Sequence, residues 1–256
     1  MAPALVRTVN NDIYEALGER WYSADDDPVA LLRAESRLRN PWVSARLRER
    51  TRERARVLDV GCGAGFLSNY LARQRFEVTG LDASKESLAV AARHDETGRV
   101  VYQVGDALAL PHPNESFDAV CAMDFLEHVE DPASVVQECA RVLRPGGLFF
   151  FHTFNRNPLA WLVVIKGVEW FVKNTPPDMH VLRLFIKPSE LGRICRDNGL
   201  DVVELRGAKP VIFAASFWRM LVSGVVPTDF RFEFSPSTLL SYTGFAERRR
   251  EPSSPT

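Results

Sequence analysis

The amino-acid sequence predicts an α/β protein: a mostly parallel sheet of seven strands with helices on both faces, preceded by helices and interrupted by apolar helical insertions. Three observations carry that prediction. From residue 56 onward, short apolar runs suited to buried strands alternate with stretches of helical periodicity. The first such unit reads RVLDVGCGAGFLSNYLARQRFEVTGLD, which is strand, glycine turn, helix, strand and acid. Near the end of the chain two further strand-like runs, 200–205 and 239–246, bring the count to seven. Together they describe a Rossmann-like arrangement with a ligand crevice outside the carboxyl ends of its strands.

The elements follow in order. Residues 1–54 read as a helical extension. Ile13, Tyr14, Leu17 and Trp21 sit at helical spacing, and Leu31, Leu32, Leu38, Trp42, Val43 and Leu47 suggest a second helix, broken or kinked at Pro41. Residues 55–154 form the nucleotide-binding core. Val57, Leu58 and Val60 make the first strand, Phe66, Leu67, Tyr70 and Leu71 the first helix, and 77–81 the second strand, which ends on Asp82. Ser84 caps a helix carrying Leu88, Val90 and Ala91. Strands at 100–104 and 117–123 follow, then a helix opened by Asp131 and Pro132, then the turn 145–147 into a fifth strand at 148–153. Residues 155–186 are an apolar insertion, and 187–248 complete the sheet. In that last part 187–198 is a helix stopped by Gly199. An insertion at 211–236 carries a second apolar helix around Phe213, Phe217, Trp218, Met220 and Leu221. The charged, Pro/Ser-rich residues 249–256 read as a disordered tail.

Composition narrows the class. With 256 residues, 46% apolar and 25% charged, the chain suits one soluble α/β unit with additions. A formal net charge of -1 supplies no bulk field for nucleic acid, so none is expected as a partner. Cys62, Cys121, Cys139 and Cys195 lie far apart and read as reduced thiols in a reducing, cytoplasmic setting. The opening MAPALVRTVNND shows no basic-then-apolar leader pattern, and no apolar run approaches the ~20 residues that span a bilayer. Arg46, Arg48, Arg50, Arg52, Arg54 and Arg56 fit a solvated, charge-laced face, or attraction to anionic lipid. The stretch NRNPLAWLVVIKGVEWFVKNTPP is apolar almost all round, with Lys166 and Lys173 as cations. Its part 158–173 suits a helix lying in a membrane interface at the inner face of the membrane, or a lid over a greasy substrate. A buried core helix or a homodimer contact is the bland alternative.

Two constellations bear chemistry. Gly61, Gly63 and Gly65 let backbone approach a ligand closely, and an acid at Asp82 can accept both hydroxyls of a ribose. Such a loop serves dinucleotides too, although G-C-G-A-G after Asp59 departs from the G-x-G-x-x-G spacing. After the fourth strand come Met123, Asp124, Phe125, Leu126, Glu127 and His128. Two carboxylates and an imidazole there could take a proton from a hydroxyl, or could bind a divalent cation.

The wording VLDVGCGAG resembles the class I S-adenosylmethionine-dependent methyltransferases. That resemblance implies that Asp59, Gly61, Gly63 and Gly65 line the amino-acid end of S-adenosyl-L-methionine and that Asp82 holds its ribose. It implies that Asp106, with Ala107 beside it, takes the adenine. VLDVGCGAG, DFLEHV, RPGG, TFNRNP with its Trp-rich successor and HVLRLFIKPSEL together are similar to the O-methyltransferases of ubiquinone biosynthesis, over about residues 10–205. The implied activity is O-methylation of a lipophilic phenol or catechol, a polyprenyl quinone precursor, at a membrane surface and with a divalent cation such as Mg or Zn. By the same resemblance Met123 contacts the cofactor, Glu127, His128 and His180 are catalytic, and Asp124, Glu127, His128 and His180 are the metal donors. Departures exist. Where the family shows an L-H-R-I-N-P-L-R run this chain reads LLRAESRLRNP, so the cofactor arginine is Arg33, Arg37 or Arg39, with Arg37 preferred, and Asp124 stands where the family has Glu. Methylation of another lipophile, a polyketide or carboxylate, is the rival activity. A non-catalytic cofactor-binding subunit of a membrane biosynthetic complex is the rival class.

Overall fold

The computed structural model describes residues 11–250. The opening ten residues of the leader reading, and nearly all of the tail expected at 249–256, lie outside them. Among the described residues one eight-stranded sheet runs in the order β3-β2-β1-β4-β5-β8-β6-β7. Its members are β1 (Arg56–Val60), β2 (Glu77–Asp82), β3 (Val101–Val104), β4 (Phe117–Met123), β5 (Leu143–Phe154), β6 (Leu200–Pro210), β7 (Phe232–Ser235) and β8 (Ser241–Arg248). The first five pair in parallel. β8 lies antiparallel between β5 and β6, the closing hairpin implied by the methyltransferase resemblance. The eighth strand is β7, which pairs with β6 inside the insertion at 211–236; the sequence reading had only a helix there. Phe232–Ser235 is four residues long, too short for its alternation to stand out without the neighbouring edge it completes.

Parallel strands are covered on both faces, and side-chain alternation decides which face each residue serves. Leu58, Val60, Phe149 and Phe151 join Val135, Val136 and Cys139 of α5 (Pro132–Val142) and Leu191 of α8 (Pro188–Asp197). Val57, Phe150 and Phe245 turn the other way, to Trp42, Val43 and Leu47 of α2 (Val29–Arg50) and Leu67 and Leu71 of α3 (Phe66–Arg73). Each fully buried side chain of this kind is worth about 1.5–3 kcal/mol in transfer from water, so the two layers commit the sheet to one register. The end signals read from sequence hold. Ser84 Oγ accepts from Ser87 N–H at the start of α4 (Lys85–Arg93). Asp131 accepts from Ser134 N–H with Pro132 in the first turn of α5. Gly199, after α8, has φ of +72°.

Pro41 is not a boundary. α2 runs unbroken through it for 22 residues, because Asn40, Trp42, Val43 and Leu47 are buried against the sheet and the next helix. The arginines near the end of α2 pair with acids: Arg46 with Glu49 and Glu204, Arg50 with Glu247, Arg52 with Asp118. That supports the charge-laced face. No helix among the described residues is long and apolar enough to cross a membrane.

Three pieces of chain close over the carboxyl ends of the strands. The N-terminal segment contributes α1 (Arg20–Ser23). The insertion 155–186 contributes α6 (Pro158–Ala160), a π-helical stretch Trp161–Lys166 and α7 (Gly167–Phe171). The insertion 211–236 contributes α9 (Ala215–Ser223). Val172, Met220, Val226 and Phe230 pack with Ala30 and Ala34 of α2, so both insertions rest on the N-terminal helix.

Candidate active site

A cavity of about 1070 Å³ lies beneath these three pieces. One end is formed by the glycine loop. Gly61, Gly63 and Gly65 have φ of +67°, +51° and +78°, the left-handed region open to glycine at little cost. A Cβ on Gly61 would lie 2.2 Å from Phe125 Cδ2, so part of the loop's glycine requirement comes from the protein itself. Asp82 shapes the same end. Its Oδ2 accepts from Gly63 N–H at 2.8 Å and its Oδ1 from Ser84 N–H at 2.9 Å. Burial raises its pKa, and the Ser84 and Gly63 bonds hold it down. Asp59 is 2% exposed and accepts from Ser68 Oγ at 2.6 Å. Burial first, then the charge of Asp82, pushes its pKa up to about 7. Asp106, Ala107 and Met123 line the cavity; Asp106 also accepts from Leu108 N–H at 2.8 Å.

The carboxyl end of β4 supplies the middle of the cavity. Asp124 has φ of +55°, a conformation that Asp tolerates better than most residues and that concentrates at functional sites. Glu127 is 1% exposed, with no hydrogen-bond partner on either oxygen among the described residues, and burial and Asp124 raise its pKa above the usual carboxyl range. His128 and His180, far apart in sequence, meet with ring centroids 5.4 Å apart. Removal from solvent pushes them down to about 3 and about 4, so both imidazoles are neutral at pH 7. Tyr14 joins them, its hydroxyl 3.5 Å from His128 Nε2. The far end is apolar, walled by Leu162, Val164, Val168, Phe217, Met220 and Phe230.

Two expectations are corrected. Arg37 does not line the cavity: its guanidinium donates to the carbonyls of Thr228 and Phe230. Arg39, two residues on, faces inward instead, 1% exposed, and donates through Nη1 and Nη2 to the two oxygens of Asp124. Nor do Asp124, Glu127, His128 and His180 gather as metal donors. Among the described residues the one group of three with close donor atoms is Glu35, Asp124 and His152, and there Asp124 is engaged by Arg39. Glu35 and His152 were not singled out from sequence, Arg39 was named there only as an alternative to Arg37, and Trp21, whose indole packs under Gly63, only as a helix residue. A signal for Arg39 existed: it shares a helix face with Glu35, Trp42 and Val43.

Comparison with known proteins agrees with this geometry. A family model described as a methyltransferase domain matches residues 58–151. A ubiquinone biosynthesis O-methyltransferase of Pseudomonas putida is 42% identical over 198 residues, 76% of this chain and 83% of that protein. Its counterpart of Leptothrix cholodnii is 38% identical over 210 residues, 80% of this chain and 88% of the relative. Magnesium protoporphyrin IX methyltransferase of Synechocystis, solved with bound SAH, superimposes with a TM-score of 0.58 at 19% identity, covering 84% of each chain, and so shares the fold. The chain belongs to the family of the ubiquinone biosynthesis O-methyltransferases and is an S-adenosylmethionine-dependent methyltransferase.

Proposed function

We propose that the chain transfers the methyl group of S-adenosylmethionine to a hydroxyl of a lipophilic phenol or catechol, a polyprenyl quinone precursor. The observation that carries this reading is the single continuous cavity that joins the glycine loop and Asp82 to the apolar walls from 162–172 and 217–230, with Glu127, His128 and His180 between them. In this reading the methionine end of the cofactor lies along Asp59, Gly61, Gly63 and Gly65, the ribose on Asp82, the adenine by Asp106 and Ala107, and Met123 beside the sulfonium. An acceptor oxygen attacks the methyl carbon in line. The carbon–sulfur bond breaks, its electron pair neutralises the sulfonium, and the hydroxyl proton leaves to a base. Positioning supplies most of the rate, because the sulfonium is already activated.

Glu127 is the better proton acceptor. Its raised pKa lies nearer that of a phenol than the depressed values of His128 and His180. The incoming sulfonium charge favours its carboxylate form. His128 and His180, as neutral imidazoles, orient the hydroxyl. A divalent cation would have to draw Asp124 from Arg39 to gather all four of the donors expected from sequence, so no step is routed through one.

The membrane reading of 158–173 is part of the same proposal. Leu162, Trp170 and Phe171 line the cavity and are 40–63% exposed, Trp161 next to Leu162 is 41% exposed with Lys166 beside it, and a greasy acceptor could enter there from a lipid surface. The experiment is transfer of a labelled methyl from the cofactor onto a panel of phenols, catechols and carboxylates with and without prenyl tails. Label on the oxygen of prenylated phenols or catechols is expected. Transfer only to carboxylates, or none, would overturn it.

A further inference from the structure

The cavity wall under Asp124 holds a buried charge cluster that the reaction as described does not use. Arg39 is its centre. Besides its two bonds to Asp124, its Nη1 lies 3.9 Å from Glu35 Oε1. His152 is fully buried on β5, and its Nε2 stands 3.5 Å from Asp124 Oδ1 and 3.6 Å from Glu35 Oε1. Donor atoms of Glu35, Asp124 and His152 fall within 4.8 Å of one another, the spread that two carboxylates and an imidazole adopt around one divalent ion. Arg39 is bonded to one of those three donors and close to a second, and all its charge is inside the protein.

We propose that the Arg39 guanidinium is the resident cation of this site: it occupies the charge position a divalent metal would take beside the acceptor oxygen and holds Asp124 in its strained conformation, so that the enzyme needs no metal there. The reasoning is electrostatic. Asp124, Glu35 and Glu127 concentrate acid around a small buried volume, and burying acids without a cation is costly. A guanidinium satisfies a carboxylate through two parallel bonds and carries its charge permanently. A divalent ion brought to the same oxygens would face that fixed positive charge at contact distance. Arg39 is thus a positioning residue that acts through Asp124. The inference rests on reading the end of β4 as the acceptor site, but its test reads metal binding and not methyl transfer, so the two can fail separately.

The experiment is titration of the full chain with Mn²⁺, followed by the electron paramagnetic resonance signal of the free ion. Wild type is expected to bind none stoichiometrically at roughly millimolar ion, the weak end of protein carboxylate sites. Arg39→Met is expected to gain a site, and Asp124→Asn in that background to lose it. Stoichiometric binding by wild type that Asp124→Asn abolishes would overturn the proposal, as would an Arg39→Met protein that folds and binds no ion. Should Arg39→Met not fold, the wild-type titration decides, with Arg39→Lys as the charge-preserving control that should remain ion-free.

Discussion

Gly61→Ala separates two reasons for a glycine at that position. The backbone there has φ of +67°, and an alanine in the left-handed region costs about 1–2 kcal/mol. The new Cβ would also lie 2.2, 2.5 and 3.0 Å from Cδ2, Cγ and Cβ of Phe125. A χ1 change would swing Cδ2 and Cγ away but leave Cβ, the root of the side chain, in tight contact at 3.0 Å. Phe125 packs against the main core and follows Asp124, itself at φ of +55°, so the segment has little freedom to retreat. Overpacking of this kind costs about 1–3 kcal/mol, and the total expected is about 2–5 kcal/mol. The assay is urea unfolding of both single variants and of Gly61→Ala/Phe125→Ala without cofactor. The double variant removes the clash and leaves the backbone strain, so a coupling of about 1–3 kcal/mol in favour of the pair is expected. If Gly61→Ala unfolds like wild type, or if the two losses simply add, the loop is not held by Phe125 and the glycine serves the ligand alone.

Asp82→Ala should weaken S-adenosylmethionine binding by about two orders of magnitude, since charge-assisted bonds are worth about 1.5–3 kcal/mol each and the loop bond to Gly63 is lost as well; unchanged affinity by calorimetry would remove the ribose role. Trp161→Ser with Trp170→Ser should reduce sedimentation with anionic liposomes, and equal sedimentation would assign that rim to another contact. Stability without cofactor should peak in mildly acidic solution. The sign follows from linkage. Asp59, raised to about 7, contributes stability that is complete below its unfolded value and lost as pH rises through 7, up to about 4 kcal/mol. His128 and His180, lowered to about 3 and about 4, contribute stability that is lost as pH falls below 6.5 toward those values. Asp59→Asn keeps the shape and should flatten the alkaline limb of melting temperature against pH; an unchanged limb would count against that account.

What the sequence alone determined was whatever rests on short-range chemistry. The order of strands and helices, the caps at Ser84 and Asp131, the glycine turn and the acid at Asp82 are each set within a few residues, by alternation, by side-chain oxygens near free backbone N–H groups, and by left-handed backbone. Glu127, His128 and His180 could be named because motif wording carried them. What only the tertiary structure decided were contacts between distant segments. Arg39 meets Asp124 across 85 residues and Tyr14 meets His128 across 114. Arg37 and Arg39 differ by two positions, about 200° around a helix axis, and choosing between them requires knowing which face of α2 looks into the cavity. β7 likewise exists because β6 offers an edge, and Asp124 is drawn to Arg39, beside Glu35 and His152, and not into one group with the donors expected from sequence. Local preferences act over a few residues, whereas the burial that pairs such charges is settled only when the layers close.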